Sequence, residues 1–215
     1  MDIVEPRIED YMRTLQRRHD EPVLLEMEQE AKEKGFPIIE RLCGVTIEVL
    51  ARAVGARRVF ELGSGFGYSG YWFSRAVGPD GELHLTDGDS ANEKKALDYL
   101  GRAGLDGPVQ FHVADAVKTL QSTPGEFDVV YCDIDKWEYP HAWEIARERV
   151  RVGGLYICDN VLWSGRVAQD APEEDVREGW TEAIKEHNAA IAADERYLST
   201  IVPTRDGVMV AIRIG

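Results

Sequence analysis

Two groups of polar residues directly follow apolar runs in the second half of the chain. Asp133 comes after residues 127–132, and Asp159 and Asn160 come after residues 155–158. If these runs are neighbouring parallel strands, the three side chains converge at the edge of the sheet where ligands bind. Two carboxylates and one amide form an oxygen-only ligand set that suits Mg²⁺, Mn²⁺ or Ca²⁺. The alternative is that each residue caps the helix or turn that follows it.

Lys136 stands three residues after Asp133 and is a candidate general base. A nearby dication would lower the pKa of its amine, because a like charge disfavours the protonated form. A neutral amine in that position could accept a proton. We therefore predict Lys136 and Asp133 as the catalytic residues. The alternative is a surface lysine whose stem covers apolar surface.

A glycine-rich segment, V-F-E-L-G-S-G-F-G-Y-S-G, occupies residues 59–70. It follows a predicted strand and opens a predicted helix, where glycines let the backbone turn tightly and approach a ligand. The dinucleotide pattern G-x-G-x-x-G would need a glycine at position 68, but that residue is Tyr68 and the third glycine is Gly67. The segment therefore indicates a cofactor loop and weakens the case for a pyrophosphate. The alternative is a glycine-rich turn without a ligand.

Acidic residues also end the next two predicted strands. Asp87 lies 24 residues after Gly63, where an acid can accept hydrogen bonds from both hydroxyls of a ribose. The sequence T-D-G-D-S around it is also typical of a turn, but the preceding glycine loop favours ribose binding. Asp115 and Ala116 follow the third predicted strand and are expected to flank an adenine.

The elements that must position these residues alternate along the chain. Apolar runs predict strands over 59–62, 83–86, 110–113, 127–132, 155–158, 197–202 and 208–214, with helices over 68–77, 90–103, 138–150 and 173–193 between them. This order predicts the α/β class, with a Rossmann-like, doubly wound sheet of seven mostly parallel strands. The last two strands are expected to form an antiparallel hairpin at one edge.

The N-terminal part is predicted to be helical. Residues 5–18 and 22–34 read as two short helices, and their charged residues indicate mostly solvated faces. Residues 38–54 predict an amphipathic helix, with an apolar stripe formed by Ile39, Leu42, Thr46, Val49, Leu50 and Ala53. The length of the chain favours one domain over 1–215, with 1–36 as a helical extension.

Composition excludes several classes of protein. The 215 residues include 39 acids and 25 bases, a net charge of −14, so a nucleic-acid partner is not expected. Three cysteines without clustered spacing predict neither a disulfide framework nor a zinc site. The N-terminal residues lack the apolar segment of a signal peptide, and no apolar run is long enough to span a membrane. These features lead us to expect a cytoplasmic protein.

Together these segments resemble the metal-dependent class I S-adenosylmethionine (SAM) O-methyltransferases, the family of catechol and caffeoyl-CoA O-methyltransferases. The likeness is most specific over 133–167, where D-I-D-K-W-E-Y and D-N-V-L-W-S-G-R-V resemble the family's D-A-D-K-x-x-Y and D-N-V-L-W-x-G-x-V. The loop E-L-G-S-G-F-G-Y-S resembles E-I-G-T-G-T-G-Y-S. The ending R-D-G-V-M-V-A-I-R resembles a closing hairpin that is usually G-D-G-L-x-x-A-x-K.

The resemblance implies transfer of a methyl group from SAM to a hydroxyl of a small catechol-like acceptor, with Mg²⁺, Mn²⁺ or Ca²⁺ as metal. It makes Asp133, Asp159 and Asn160 the metal ligands and Lys136 the base. The implied cofactor-binding residues are Ile39, Glu61, Gly63, Ser64, Gly65, Ser69, Asp87, Asp115, Ala116 and Asp133. Trp163 and Ser164 are predicted to contact the acceptor, and Trp137 is a further candidate for the wall of its pocket. A homodimer is expected by resemblance alone.

Departures from the family pattern bear on the acceptor. Ser164 stands where plant caffeoyl-CoA enzymes have an asparagine that reads the aromatic ring, and no basic site for a CoA phosphate is evident. A small catechol is therefore favoured over a CoA ester. Three alternatives stay open: a tRNA hydroxyuridine O-methyltransferase, a non-catalytic SAM-binding regulator and a nicotinamide-dependent oxidoreductase. The tRNA alternative would use a basic patch formed by Arg7, Arg13, Arg17 and Arg18.

Overall fold

The protein is described by a computed structural model that covers residues 3–16, 20–169, 177 and 179–215. Its centre is a seven-stranded sheet with the strand order β3-β2-β1-β4-β5-β7-β6. The strands are β1 Arg58–Leu62, β2 Glu82–Asp87, β3 Val109–Val113, β4 Phe127–Cys132, β5 Val150–Cys158, β6 Tyr197–Val202 and β7 Val208–Arg213. The first five pair in parallel, whereas β7 is antiparallel to both β5 and β6. The predicted doubly wound sheet and its antiparallel C-terminal hairpin are confirmed.

Eight α-helices surround the sheet in the described part of the chain. They are α1 Pro6–Leu15, α2 Pro22–Lys34, α3 Glu40–Ala53, α4 Tyr68–Val77, α5 Ser90–Arg102, α6 Ala116–Ser122, α7 Tyr139–Ala146 and α8 Trp180–Ala193. Short 3-10 helices cover Lys136–Glu138 and Trp163–Ala168. Residues 17–18 of the first predicted helix, and 173–176 and 178 of the last, lie outside the described residues. Helix α6 was not predicted, because seven residues are too few to show a helical period.

The two faces of the sheet pack against different helices. Successive residues of a strand point to opposite faces, so Val59 joins the core beneath α2–α5 while Phe60 joins the core beneath α6–α8. In the same way Tyr131 and Cys132 of β4 belong to opposite cores. Burial on both faces explains why β4 is a continuous apolar run. Among the described residues, no helix is long and apolar enough to cross a lipid bilayer.

Helix α3 buries only part of the predicted apolar stripe, because Ile39 and Leu42 are buried but other members are not. Val49 is 59% exposed, whereas Cys43, Gly44 and Ile47 are buried. The cause is close packing on α4, because a Cβ atom at Gly44 would lie 2.2 Å from the indole nitrogen of Trp72. Small residues form part of the contact face of this helix, so the stripe predicted from bulky residues was wrong at Val49 and Ala53.

Helix α2 is fixed to the fold by its acidic residues as well as by its apolar ones. Glu28 accepts hydrogen bonds from the Tyr68 hydroxyl at 2.7 Å and from the Arg41 guanidinium at 2.8 and 3.1 Å. Glu30 accepts one from Lys95 at 2.7 Å. Four of the six charged residues of α2 are exposed, which agrees with mostly solvated faces, but Glu28 and Glu30 are half-buried and hold the helix against α3, α4 and α5.

Candidate active site

A cavity of about 720 Å³ lies at the carboxyl edge of the sheet. Each of the first five strands contributes to the lining one residue at or just after its carboxyl end. These residues are Gly63, Asp87, Asp115, Asp133 and Asn160. Parallel strands bring their carboxyl ends to one edge, which is where α/β proteins bind ligands. The sequence patterns found after separate strands thus belong to one site.

The glycine loop is shaped by its contact with the end of β4. Gly63 has a φ of 82°, and a Cβ atom there would lie 2.3 Å from the carbonyl oxygen of Asp133. The next residue, Ser64, donates its backbone N–H to Thr86 at 2.8 Å, which ties the loop to β2. Only glycine fits at position 63, because both the left-handed backbone and the close approach exclude a side chain.

Glu61 lies behind the cavity wall rather than on it. The carboxyl group is fully buried and accepts a hydrogen bond from Ser69, a residue that does line the cavity. Its other oxygen, Oε2, is buried without a protein partner. Burial raises the pKa of Glu61 to about 8, against the lowering effect of the Ser69 hydrogen bond. Glu61 is therefore not part of the cavity lining, but it holds Ser69, which is.

The other predicted cofactor residues border the cavity. Ile39, Ser64, Gly65 and Ala116 are all part of its lining. Asp87 borders it and also organises its own turn, since Oδ1 accepts from the backbone N–H of Asp89 at 2.7 Å and from Asn92 at 3.1 Å. Asp115 likewise borders the cavity and caps α6 through the N–H of Lys118 at 2.9 Å. At both acids, a structural contact in a turn or helix cap is thus compatible with a position on the cavity wall.

Asp133, Asp159 and Asn160 follow the adjacent ends of β4 and β5, with Asp133 and Asn160 in the cavity lining and Asp159 buried outside it. The preceding residues, Cys132 and Cys158, are register partners in β4 and β5. The side chain of Asp159 is 1% exposed and its Oδ1 is buried without a protein partner. Burial and the nearby Asp133 raise the pKa of Asp159, while the Arg205 guanidinium lowers it. Asn160 has a φ of 57°, a left-handed conformation that asparagine tolerates better than most residues.

This oxygen set fits a hard divalent cation. Its members are two carboxylates and an amide, and the unpartnered Oδ1 of Asp159 is the kind of buried polar atom that a ligand is needed to satisfy. Within the described residues no three His, Cys, Asp or Glu side chains cluster in a way that could hold a metal. A metal at this edge of the sheet would therefore depend on the amide of Asn160 as the third ligand.

Lys136 is buried beside Asp133 and is not a surface lysine. Its amine lies 2.8 Å from Oδ1 of Asp133 and 3.1 Å from the carbonyl oxygen of Ile134. Burial lowers the pKa of the Lys136 amine, but the Asp133 carboxylate outweighs this effect, so the pKa lies above its ordinary value. Without a metal, the surrounding protein groups thus raise the pKa of Lys136, which is opposite to the effect that we expected from a nearby dication.

Of the three residues predicted to contact the acceptor, only one lines the cavity. Trp163 lines the cavity, whereas Ser164 is exposed and outside its lining. Trp137 is 60% exposed and also outside the lining. The sequence analysis missed Trp180, whose ring lies 5.7 Å from that of Trp163 and which borders the same cavity. No local motif marks Trp180, because it comes from the start of α8, far along the chain.

Arg205 is the second residue that the sequence analysis missed. It lies in the turn between β6 and β7, and its Nη1 is 3.2 Å from Oδ2 of Asp159. A signal was present in the sequence, since an arginine stands there where the similar hairpin usually begins with glycine.

These features define a class of protein: an α/β enzyme of Rossmann-like topology, with a glycine loop after β1 and a polar site at the strand ends. The chain belongs to the O-methyltransferase family, whose model matches residues 15–214. It is 29% identical over 187 residues to tapetum-specific methyltransferase 1 of Arabidopsis thaliana, covering 85% of this chain and 79% of that protein. It is 31% identical to the caffeoyl-CoA O-methyltransferase of Petroselinum crispum, covering 80% and 74%.

Solved structures agree with this assignment. The O-methyltransferase TomG from Streptomyces achromogenes, solved in complex with SAM, matches with a TM-score of 0.81 and 26% identity over 91% of both chains. The O-methyltransferase from Bacillus cereus, solved with SAH, shares the fold with a TM-score of 0.80. The protein is thus a SAM-dependent O-methyltransferase, and the alternatives of a nicotinamide-dependent oxidoreductase and of a non-catalytic regulator are set aside.

Proposed function

We propose that this enzyme transfers the methyl group of SAM to a hydroxyl of a small catechol-like acceptor, with a divalent cation held by Asp133, Asp159 and Asn160. The observation that carries the proposal is the oxygen set at the ends of β4 and β5, in which Oδ1 of Asp159 is buried without a protein partner. Two neighbouring oxygens of a catechol can complete the coordination that three protein ligands leave open.

The loop side of the cavity is suited to SAM. In this proposal Asp87 accepts hydrogen bonds from the ribose, and Asp115 with Ala116 flanks the adenine. Ser64, Gly65 and Ser69 lie near the methionine part, with Ser69 held in place by Glu61. This arrangement would direct the sulfonium methyl toward the end of β4, where Asp133 stands.

At the other side of the cavity, the chain supplies groups for proton transfer and for orientation. A divalent cation bound there would lower the pKa of an acceptor hydroxyl. With its pKa lowered by that cation, Lys136 as a neutral amine would take the released proton at Nζ, and Asp133 holds that amine in place at 2.8 Å. Trp163 and Trp180 would contact the ring of the acceptor. Positioning of the two reactants then contributes much of the rate enhancement.

The described arginines of the alternative nucleic-acid patch are engaged with carboxylates. Arg7 lies 2.9 Å from Glu5, and Arg13 lies 2.6 Å from Glu9 and 2.5 Å from Glu40. Arg17 and Arg18 are outside the described residues. The neighbouring carboxylates reduce the net positive charge of this patch, which supports a small-molecule acceptor over tRNA.

The test is methyl transfer from labelled SAM to caffeic acid with Mg²⁺, with a chelator, and with the chelator followed by excess Mg²⁺. We expect turnover with Mg²⁺, loss of turnover with the chelator and recovery on addition of excess Mg²⁺. Turnover that the chelator leaves unchanged would contradict the proposed metal. Methylation of a tRNA substrate, with none of the catechol, would contradict the proposed acceptor.

A further inference from the structure

Arg205 occupies a backbone position that costs energy for an arginine. Its φ is 53°, in the left-handed region that disfavours a residue with a Cβ atom relative to glycine. The similar hairpin of the family usually has glycine at this point, as the comparison of R-D-G-V with G-D-G-L shows. Strain of this kind persists where the surrounding structure over-determines it, and it is concentrated at functional sites. A function for this side chain would explain why the chain accepts the strain.

The guanidinium of Arg205 lies beside two acids, one of which also pairs with a second arginine. Its Nη1 lies 3.2 Å from Oδ2 of Asp159, and its Nε lies 3.6 Å from Oε1 of Glu40. Glu40 is also bound by Arg13 at 2.5 Å. Asp159 would share its charge with the proposed cation. Neither acid is thus a full counter-charge for Arg205, whose side chain is only 26% exposed to water.

Arg205 lies where two cavities meet. It borders the main cavity, and it also borders a second cavity of about 550 Å³ beside helices α2 and α3. The two cavities share the segment formed by Phe36, Pro37 and Ile38. An acceptor whose hydroxyls face Asp133 and Asn160 could therefore place a substituent at Arg205.

The charges around the main cavity make Arg205 the suitable partner for an anion. The acids that line it are Asp87, Asp115, Asp133, Asp135 and Glu138. Two other described cations border it, but Lys136 lies 2.8 Å from Asp133 and Arg177 lies 3.6 Å from Asp135. An anionic substituent would be repelled along most of this wall. The planar fork of an arginine binds a carboxylate through two parallel hydrogen bonds, and burial strengthens them.

We propose that Arg205 is a specificity-determining residue that binds an anionic substituent, a carboxylate, on the methyl acceptor. The inference rests on the proposed function, because it places the acceptor hydroxyls at Asp133, Asp159 and Asn160. It goes beyond that function because it states that the acceptor is negatively charged and that Arg205 recognises this charge.

The test is calorimetric binding of three acceptors to the enzyme loaded with Mg²⁺ and S-adenosylhomocysteine, in which no methyl transfer occurs. The acceptors are catechol and two dihydroxybenzoates, one with the carboxylate beside the hydroxyl pair and one with it one ring carbon further away. Arg205→Gly removes the guanidinium and relieves the backbone strain, which offsets part of the stability lost with the Asp159 contact, and the melting temperature with Mg²⁺ confirms that the variant is folded. Arg13→Gln is the matched control, because Arg13 also contacts Glu40 but does not border the main cavity.

We expect the wild type to bind at least one of the two acids about tenfold more tightly than catechol. Arg205→Gly should reduce this preference to near unity, Arg205→Lys should give an intermediate value, and Arg13→Gln should retain the preference. A wild type without preference for either acid, or an Arg205→Gly variant that retains it, would overturn the inference. The proposed function is judged separately, by turnover with Mg²⁺ and active SAM, so the two can fail independently.

Discussion

The amine of Lys136 lies 2.8 Å from Oδ1 of Asp133, three residues earlier in the chain. The short 3-10 helix Lys136–Glu138 begins just after β4 and turns the lysine back toward the strand end. The side chain of Lys136 is 9% exposed, so the contact is largely shielded from water. The proposed base is thus fixed beside a proposed metal ligand by local backbone geometry.

Replacement of Lys136 by methionine should lower kcat by about 10²–10⁴-fold, the usual contribution of a positioned general base. SAM binding, measured by calorimetry, should stay within a few-fold of the wild type, because the loop contacts are unchanged. The control is Lys185→Met, a lysine of α8 that contacts Glu182 away from the cavity. A Lys136→Met enzyme with wild-type kcat would rule out the lysine as base.

Replacement of Gly63 by alanine should destabilise the protein by about 2 kcal/mol or more, because a methyl group would meet the Asp133 carbonyl in a left-handed backbone. SAM binding should be lost with it, since the loop would have to move. Chemical denaturation and calorimetry measure the two effects. Gly101→Ala in α5 is the control, where the nearest atom would be 3.7 Å away, and it should leave stability unchanged or raise it. Equal stability of the two variants would contradict the packing described for the loop.

The buried carboxyl of Glu61 predicts a pH-dependent stability. Its pKa is about 8 in the folded protein against an ordinary value of 4.5. Between these values the folded state binds a proton that the unfolded state does not. This contribution to the free energy of unfolding is therefore full below about pH 4.5 and is lost as the pH rises toward 8.

Glu61→Gln tests this directly, because a glutamine cannot titrate. Urea denaturation across this pH range should show a wild type that loses stability relative to the variant as the pH rises. The comparison between the two proteins removes the effect of other titrating groups. A difference that stays constant with pH would show that Glu61 is ionised in the folded state.

Trp180→Leu should raise KM for a catechol acceptor by about 3- to 10-fold with a smaller effect on kcat, because one aromatic wall of the cavity is lost. Trp137→Leu is a matched control, since that tryptophan is 60% exposed and outside the cavity. Steady-state kinetics with saturating SAM gives both constants. Equal KM values for the two variants would place the acceptor elsewhere in the cavity.

The sequence predicted those parts of the fold and site that depend on residues close together in the chain. The strand β4 was predicted at its observed bounds because burial on both faces leaves a continuous apolar run. The convergence of Asp133 with Asp159 followed from the topology of parallel strands alone. The helical face of α3 was not predictable in this way, because Gly44 and Trp72 are distant in sequence and their packing decides it.

Within the site, too, contacts between residues distant in the sequence were not predicted. Trp180 reaches the cavity from an element that lies far from the motifs, so no spacing rule reveals it. Arg205 belongs to the ending R-D-G-V-M-V-A-I-R, but only the tertiary fold brings it to the cavity. Ser164 was placed by resemblance to a family position, but its backbone N–H is taken by Asp206 and its side chain does not border the cavity. The homodimer stays a prediction.

The most direct test of the account is the binding of Mn²⁺ to the enzyme, followed by electron paramagnetic resonance. We predict one site per chain in the wild type and loss of that site in Asp159→Ala, because the carboxylate with the unpartnered oxygen is removed. Asp135→Ala, a change of an exposed acid of the same cavity, should retain the site. Wild-type binding of Mn²⁺ by Asp159→Ala, or no binding by the wild type, would contradict a metal held at the ends of β4 and β5.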